Sequence, residues 1–248
     1  MARGHAGKVA VITGAAAGIG QAFARRLAEE GVDIAIADIA AAAETEALVT
    51  ATGRAVLVYR CDVSSPEGVR AFADAALARF GHVDILVNNA GIYPSVPFAE
   101  LDYALWRTVL AVNLDGPFLL CQAFVPGMRE RGWGRVVNIA SDTVWLQAPG
   151  LLPYVTSKAG LIGLTRALAT EVGAAGVTVN AIAPGLTRTA TIASRTPGHV
   201  FEAVAAQHTI KRMQTPEDLV GTVAFLTSDD AAFITGQTIM VNGGGIRL

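Results

Sequence analysis

The chain contains 248 residues, of which 52% are hydrophobic and only 16% are charged, and its formal net charge is −2. Two of the longest uncharged stretches, Val172–Thr187 and Ala231–Ile246, are interrupted by Gly, Thr and Asn. Both are shorter than the roughly 20 residues that a membrane-spanning helix requires, and the charge balance excludes the basic surplus of a nucleic-acid-binding protein.

Short β-branched runs alternate with alanine-rich amphipathic stretches along the chain. Apolar strands separated by helices are typical of a parallel sheet that is covered on both faces. The sequence predicts an α/β fold: a single Rossmann-type, doubly wound domain over residues 1–248, with a parallel sheet of about seven strands and helices on both faces. In chain order, the predicted elements are strand Val9–Ile12, helix Gly18–Glu30, strand Asp33–Ala37, helix Ala41–Thr52, strand Ala55–Tyr59, helix Pro66–Phe80, strand Asp84–Val87, helix Tyr103–Arg131, strand Val136–Ile139, helix Leu151–Val172, strand Val177–Ile182, helix Pro216–Thr227 and strand Thr238–Val241.

The segment 187–213 has the weakest pattern and contains Pro197 and Gly198. Long connections beyond a strand end often close over substrates, so we expect a substrate loop or lid around these residues. His199 and His208 lie in it, and we expect both to be solvated; the alternative is that they contact the substrate.

The cysteines and histidines indicate the compartment and the absence of a metal site. Cys61 and Cys121 are far apart and form no Cys-x-x-Cys pair, and the first residues include no apolar signal segment. We therefore expect a reduced, cytoplasmic protein. The four histidines lack metal-ligand spacing, so we expect no metal.

A glycine-rich turn follows the first predicted strand. Its sequence, Thr13 to Gly20, reads Thr-Gly-Ala-Ala-Ala-Gly-Ile-Gly and leads directly into a helix. Glycines permit a sharp turn and a close approach of backbone N–H groups to an anion, and the helix N-terminus favours a pyrophosphate. The alternative is that these glycines only allow tight packing of the strand against the helix.

Asp38 ends the second predicted strand. Its separation from the glycine turn is close to the roughly 20 residues that lie between such a turn and the acid that binds the adenosine ribose in dinucleotide-binding proteins. A 2′-phosphate would require cations, but Ala15, Ala16 and Ile39 supply none, and Asp38 would repel it. This pattern predicts NAD rather than NADP. The alternative is a solvated acid that caps the next helix.

Four polar side chains form a candidate catalytic set. Tyr154 and Lys158 are four residues apart in a predicted helix and therefore share one face. Ser141 follows the fifth predicted strand, and Asn113 lies in the long helical region. A Tyr-x3-Lys pair alone would usually be a packed ring and a solvated lysine. Here a glycine turn, Asn113, Ser141 and the Tyr-x3-Lys pair follow one another along the chain of one predicted parallel sheet. This combination is more specific than the Tyr-x3-Lys pair alone.

Taken together, these motifs resemble the short-chain dehydrogenase/reductase family over essentially the whole chain. The resemblance implies that Tyr154 is the general acid for ketone reduction and the base for alcohol oxidation. It implies that Lys158 favours the phenolate and holds the nicotinamide ribose, that Ser141 binds the substrate oxygen, and that Asn113 fixes a water that relays protons. The cofactor-binding residues that it implies are Gly14, Ala17, Gly18, Ile19, Asp38, Asp62, Val63, Asn89, Ala90, Gly91, Tyr154, Lys158, Ile182, Pro184, Gly185 and Thr187.

Residues near the catalytic strand ends suggest an apolar, partly aromatic substrate pocket formed by Tyr93, Trp145 and Leu152, although core packing is an alternative for each. Longer stretches are similar to NAD-dependent secondary alcohol dehydrogenases of the 1-phenylethanol dehydrogenase type. That similarity implies a hydrophobic, aryl-alkyl secondary alcohol and ketone pair. Two departures from the family pattern are Val144, where many members have a small residue, and Asn242, where Asp is more usual.

Three other functions stay open. A 3-oxoacyl-thioester reductase usually goes with NADPH and a basic docking surface, which Asp38 argues against. A polyol or sugar dehydrogenase would require a more polar pocket. A cofactor-sensing paralogue without activity usually lacks the Tyr or the Lys, and both are present here. The resemblance also implies a homotetramer that acts on a small-molecule substrate.

Overall fold

The computed structural model describes residues 3–247 and contains a seven-stranded sheet in which all paired strands are parallel. The strand order is 3-2-1-4-5-6-7, which confirms the predicted doubly wound sheet. Strands 1, 4 and 5 are buried along their whole length, as the continuous apolar runs predicted. The strands are β1 (Val9–Thr13), β2 (Asp33–Asp38), β3 (Val56–Arg60), β4 (Ile85–Asn88), β5 (Gly134–Ile139), β6 (Val177–Pro184) and β7 (Thr238–Val241).

Helices cover both faces of this sheet and bury two separate apolar clusters. Phe72, Leu86 and Phe124 belong to one cluster, and Phe23, Ile12 and Leu219 belong to the other. The helices are α1 (Gly18–Glu29), α2 (Ala43–Thr50), α3 (Pro66–Phe80), α4 (Tyr103–Leu110), α5 (Gly116–Arg131), α6 (Leu152–Val172), α7 (Ala190–Ala193), α8 (Gly198–Gln207) and α9 (Glu217–Leu226).

The predicted helix Tyr103–Arg131 is present but contains a π-helical turn, Ala111–Asp115, between α4 and α5. By length and composition alone this segment could cross a membrane, and 44% of its most apolar window is buried within the protein. Leu120 and Phe124 on α5 belong to the core cluster against the sheet. Packing on the sheet thus accounts for part of the apolar character of this helix.

The segment 187–213 is more regular than its sequence suggested, because it contains α7 and α8. Proline and glycine at positions 197 and 198 begin α8 instead of marking an irregular loop. The expectation that His208 is solvated is wrong: its side chain is buried, and its Nδ1 lies 3.0 Å from the Arg212 carbonyl oxygen. His199 is exposed as expected.

The order in which strands are added to the sheet reverses between β1 and β4. β2 pairs with one side of β1, and β4 pairs with the other side. In a doubly wound sheet, ligands bind in the crevice at the carboxyl ends of the strands at such a switch point. The glycine turn leaves β1 at this edge, and Asn89 to Gly91 leave β4 beside it. The topology therefore places the candidate cofactor residues together.

Candidate active site

The glycines of the turn occupy positions where a side chain would be strained or would clash with neighbouring atoms. Gly14 and Gly18 have φ values of 65° and 63°, in the left-handed region that favours glycine. A Cβ at Gly20 would lie 2.3 Å from the Gly14 carbonyl oxygen and 2.6 Å from Asn89 Nδ2. The backbone of the glycine turn and of α1 and the side chain of Asn89, after β4, therefore approach one another closely here.

Polar side chains hold this turn in place from two sides. Asn89 Nδ2 donates to the carbonyl oxygens of Thr13 and Gly14, each at 2.9 Å. Thr13 Oγ1 accepts from the backbone N–H groups of Asn89 and Ala90, each at 3.0 Å. On the other side, the buried Thr45 hydroxyl donates to the Ala15 carbonyl oxygen at 2.8 Å. These hydrogen bonds fix the position of the turn relative to β4 and α2.

The start of α1 and Asp38 have the chemistry that a dinucleotide requires. The N-cap residue Ala17 has no side-chain oxygen, so the first-turn N–H groups are available to an anion. Asp38 accepts hydrogen bonds from Ala16 N at 2.8 Å and Ala40 N at 2.9 Å, and its carboxylate therefore lies directly beside the glycine turn. A glycine cradle, an uncapped helix N-terminus and a strand-end acid fit the pyrophosphate and ribose of a dinucleotide.

The catalytic candidates converge at the carboxyl ends of β4 and β5. Lys158 is buried and its Nζ donates to the Ile139 carbonyl oxygen at 2.6 Å, which holds the amine at the end of β5. Its Nζ lies 5.7 Å from the centre of the Tyr154 ring. Ser141 follows β5, and its Oγ accepts from Thr143 N at 3.2 Å. The structure thus brings Ser141, Tyr154 and Lys158 into one site.

The π-helical turn presents Asn113 to this site. Asn113 is fully buried; its Nδ2 donates to the Ile92 carbonyl oxygen at 2.8 Å and to Ser157 Oγ at 3.1 Å. Its Oδ1 accepts from Ile92 N at 2.9 Å. A Cβ at Gly91 would lie 3.3 Å from Asn113 Oδ1 and 3.5 Å from Lys158 Nζ, so the amide and the amine line the same space.

Burial shifts the pKa values of Lys158 and Tyr154 in opposite directions. It lowers the pKa of the Lys158 ammonium from 10.5 to about 8, because the charged form is desolvated. It raises the pKa of the Tyr154 phenol, an effect that a side-chain hydrogen bond with Ser141 opposes and the charge of Asp142 reinforces. In the cofactor-free protein the neutral forms of both groups are favoured relative to free side chains.

The other predicted cofactor residues lie along the same edge of the sheet. Asp62, at the end of β3, is exposed and accepts from Ser64 N at 2.9 Å, whereas Val63 is buried. Ile182, Pro184 and Gly185 lie on or just after β6, and Thr187 Oγ1 donates to the Gly185 carbonyl oxygen at 3.1 Å. A Cβ at Gly18 would lie 3.3 Å from Thr189 Cγ2, so the segment after β6 reaches back to the glycine turn.

The predicted substrate residues are exposed rather than packed in the core. Tyr93, Trp145 and Leu152 have exposed fractions of 41%, 37% and 44%. The Tyr93 and Tyr154 rings pack edge to face with their centres 6.1 Å apart, which places Tyr93 at the catalytic residues. Leu152 instead lines an open groove with Phe98, Leu101, Asp102, Tyr103 and Trp106.

Sequence reasoning missed several polar residues that support the site. Asn88 Nδ2 donates to Asn138 Oδ1 at 2.8 Å across paired positions of β4 and β5, and Asn138 Nδ2 donates to Thr165 Oγ1 at 2.9 Å. Asp142 is buried beside Asn242, which donates to it. The signal that could have found them is asparagine or aspartate at the end of an otherwise apolar strand. No group of three or more potential metal ligands occurs among residues 3–247.

Comparisons with known proteins place this site in a family. Residues 14–245 match a protein family described as enoyl-(acyl carrier protein) reductase. The chain is 41% identical to a cis-4-hydroxycyclohexanecarboxylate dehydrogenase of Sinomonas cyclohexanicum, with 98% of each chain covered. It is 40% identical to a subunit of a (2S)-[(R)-hydroxy(phenyl)methyl]succinyl-CoA dehydrogenase of Thauera aromatica, with 96% of each covered.

A solved structure from Sinorhizobium meliloti, described as a short-chain alcohol dehydrogenase, superposes with a TM-score of 0.93. It is 40% identical, and the match covers 97% of this chain and 96% of that one. The sheet order and the fold therefore agree with those of a protein that shares two fifths of the sequence. The chain belongs to the short-chain dehydrogenase/reductase family, whose dehydrogenases are oxidoreductases that use a nicotinamide cofactor.

Proposed function

We propose that the protein is an NAD-dependent alcohol dehydrogenase or ketone reductase that interconverts a hydrophobic, aryl-alkyl secondary alcohol and its ketone. The observation that carries this proposal is the convergence of Ser141, Tyr154 and Lys158 next to the exposed ring of Tyr93. A phenol, a hydroxyl and an amine in this arrangement can bind a carbonyl oxygen and exchange a proton with it. Exposed aromatic surface beside them suits an apolar substituent.

The proton transfer uses the chain's own residues. Tyr154 donates its phenolic proton to the carbonyl oxygen during reduction and removes the hydroxyl proton during oxidation. Ser141 donates a hydrogen bond to the same oxygen and stabilises the negative charge that develops there. The Lys158 ammonium favours the phenolate by charge, and Asn113 holds a water that returns protons to Lys158.

The cofactor site consists of the glycine turn, the start of α1 and the ends of β2 to β6. When bound there, the nicotinamide supplies or accepts the hydride. We infer that Asp38 binds the adenosine ribose hydroxyls and selects NAD, because its carboxylate lies beside the Ala16 backbone where a 2′-phosphate would meet like charge. Asp62 and Val63 would lie at the adenine, Asn89 to Gly91 would line the cofactor cleft, and Ile182 and Thr187 would line the nicotinamide side.

The aryl-alkyl preference rests on the pocket wall and on the relatives. Tyr93 and Trp145 are exposed aromatic rings near the catalytic strand ends. The Thauera aromatica relative is named for a substrate in which a phenyl group is attached to the carbinol carbon. The Sinomonas cyclohexanicum relative is named for a hydroxylated cyclohexane ring. Both names describe secondary alcohols that carry a ring next to or around the reacting carbon.

A spectrophotometric screen with NAD⁺ tests the proposal. It compares aryl-alkyl carbinols, aliphatic secondary alcohols, polyols and 3-hydroxyacyl thioesters under one set of conditions. We expect the highest kcat/KM with an aryl-alkyl carbinol. A preference for thioesters or polyols would overturn the substrate class while leaving the dehydrogenase activity intact, and cofactor binding without turnover on any of them would overturn the activity.

We also propose that the chain acts as a cytoplasmic homotetramer of single-domain subunits, with the segment around 187–213 as a substrate loop or lid. Phe98, Tyr103 and Phe233 are highly exposed on the isolated subunit, as expected for subunit contacts. A light-scattering mass close to that of a monomer would contradict the tetramer. Protection of the 187–213 segment from proteolysis by NADH would support the lid.

A further inference from the structure

The hydroxyl group of Ser141 is bonded to a neighbouring threonine. Thr143 Oγ1 donates to Ser141 Oγ at 2.9 Å, and Thr143 N donates to the same oxygen at 3.2 Å. Ser141 is buried, and Thr143, two residues further along the chain, is half-buried. One threonine therefore supplies two hydrogen bonds to the oxygen whose hydroxyl, in the proposed function, binds the substrate carbonyl.

These two hydrogen bonds use the acceptor capacity of the serine. A hydroxyl oxygen has two lone pairs and carries one proton. With both lone pairs engaged by Thr143, the Ser141 proton is left to be donated to another group. The effect of Ser141 on its neighbour has the sign of such a donor, because its hydrogen bond lowers the pKa of the Tyr154 phenol.

The short turn that carries Thr143 is held by the backbone, so the side-chain hydroxyl is not needed to close it. Ser141 is the N-cap of a 3-10 turn over residues 142–145, and Leu146 N donates to the Thr143 carbonyl oxygen at 3.2 Å. Threonine is β-branched, so its χ1 angle is restricted and Oγ1 has few alternative positions. The hydrogen-bond partner of Thr143 Oγ1 among the described residues is Ser141.

We propose that Thr143 is a positioning residue that holds the Ser141 hydroxyl with its proton directed toward the substrate oxygen. This inference rests on the proposed function, because it explains how Ser141 is kept as a donor in that proton transfer. A hydroxyl that accepts hydrogen bonds is polarised and becomes a stronger donor. A stronger donor stabilises the charge that develops on the oxygen in the transition state more than it stabilises the neutral ketone, so Thr143 should affect kcat more than KM.

The test removes the hydroxyl in Thr143→Val, which keeps the β-branched shape and the backbone N–H, and measures NADH-dependent reduction of acetophenone, an aryl-alkyl ketone. Loss of a donor that touches the developing oxyanion costs about 100-fold or more in kcat. Loss of a donor that acts through it should cost less, about tenfold, with little change in KM.

The conservative variant separates positioning from packing. Thr143→Ser keeps the hydroxyl and loses the methyl group, so we expect it to restore most of the wild-type kcat. A packing role predicts the reverse order, with valine tolerated and serine harmful. The matched control is Thr170→Val, which removes an exposed hydroxyl bonded to the Arg166 carbonyl oxygen at 3.1 Å near the end of α6 and should leave kcat unchanged.

A double-mutant cycle shows whether Thr143 acts through Ser141. Ser141→Ala removes the oxygen that Thr143 contacts, so Thr143→Val should lower kcat no further in that background. An equal loss in both backgrounds would mean that Thr143 acts independently of Ser141, and it would overturn the positioning role.

A second measurement does not depend on turnover. The ultraviolet absorbance of the phenolate is titrated in the cofactor-free protein, and the titration of Tyr154→Phe is subtracted to isolate Tyr154. Because a hydrogen bond from Ser141 favours the phenolate, we expect Thr143→Val to move this titration to higher pH and Thr143→Ser to leave it in place. The other groups that affect this phenol are unchanged in both variants: Tyr93, Asp142 and Lys158.

The outcomes separate this inference from the proposed function. A folded Thr143→Val enzyme with a wild-type kcat and a wild-type phenolate titration would overturn the inference and leave the dehydrogenase assignment in place. Thr143→Ala, which also lacks the hydroxyl, takes its place in both measurements if Thr143→Val does not fold. If the wild-type protein reduces no ketone, the proposed function fails, but the phenolate titrations still decide whether Thr143 controls the Ser141 donor.

Discussion

Asn113 Nδ2 donates a hydrogen bond to Ser157 Oγ at 3.1 Å, and this contact joins the π-helical turn to the helix that carries Tyr154 and Lys158. π-helical turns inside α-helices occur frequently at functional sites, where the extra residue redirects a side chain. Here the turn directs Asn113 both to the Ile92 backbone and to α6. One buried amide therefore aligns the segment after β4 with the catalytic helix.

Replacement of this amide should lower the stability of the protein. In Asn113→Ala the buried N–H and carbonyl groups of Ile92 lose their partners, so we expect the free energy of unfolding to fall by about 1–3 kcal/mol. Urea denaturation measures the loss. Ser157→Ala keeps both Ile92 contacts and serves as the control, and equal stability of the two variants would contradict the role of Asn113.

The phenol of Tyr154 should be essential for turnover but not for cofactor binding. Tyr154→Phe removes the proton donor and keeps the ring that packs against Tyr93, so we expect kcat to fall by at least about 100-fold. The affinity for NADH, measured by fluorescence titration, should be close to that of the wild type. Substantial turnover by this variant would show that another group transfers the proton.

Asp38 should determine the choice between NAD and NADP. In Asp38→Ala the like charge that opposes a 2′-phosphate is gone, and we expect the ratio of kcat/KM for NAD to that for NADP to fall by about tenfold or more, which corresponds to about 1.4 kcal/mol. Asp62→Asn is the matched control: it alters a carboxyl group that we propose lies at the adenine, and it should weaken the binding of both cofactors alike. Comparable kcat/KM with both cofactors in the wild type would contradict the prediction.

The charge of Lys158 should make cofactor binding pH-dependent. Because burial lowers the pKa of this ammonium to about 8, the charged form predominates below that pH and is lost above it. If the ammonium holds the nicotinamide ribose, the dissociation constant for NADH should rise, by up to about tenfold, between about pH 7 and about pH 9. Lys158→Met should bind NADH weakly at both values, and the same pH dependence in that variant would assign the transition to another group.

The lowered pKa of Lys158 also makes the stability of the protein depend on pH. The unfolded chain binds a proton at Lys158 up to its ordinary pKa of 10.5, whereas the folded chain releases it near pH 8. Between these values the unfolded state holds more protons, so the contribution of this group to stability rises with pH. Lys158→Met should remove that contribution from the pH dependence of the free energy of unfolding.

Two glycines should respond in opposite ways to the same substitution. Gly20→Ala places a Cβ 2.3 Å from the Gly14 carbonyl oxygen, so we expect a loss of about 1–3 kcal/mol in stability and weaker cofactor binding. A Cβ at Gly163, inside α6, meets no atom within 4 Å, so Gly163→Ala should stabilise the protein by about 0.5–1 kcal/mol. Thermal unfolding compares them, and equal melting temperatures would show that the turn can relax.

The sequence predicted most of the elements because their signals are local. Ser65 before Pro66 and Gly81 after Phe80 predicted the bounds of α3, and the structure confirms them: Ser65 Oγ accepts from Gly68 N at 3.0 Å, and Gly81 has a φ of 79°. Segment 187–213 was less predictable. Pro197 and Gly198 are as compatible with a loop as with the start of α8, and Phe201 is the single buried residue of that helix among its described residues.

The amino-acid sequence by itself determined the fold class, the glycine turn and the spacing of Tyr154 and Lys158, because strand burial, turn geometry and helical periodicity are encoded by neighbouring residues. Tertiary structure decided the contacts between distant segments. The buried contact of Asp142 with Asn242, the close approach of His208 to Gly243 and the contact of Asn113 with Ser157 each join residues that lie far apart in the chain. Hydrogen bonds and charges act through space, so their partners, and the pKa values that follow from them, emerge only when the sheet brings the strand ends together.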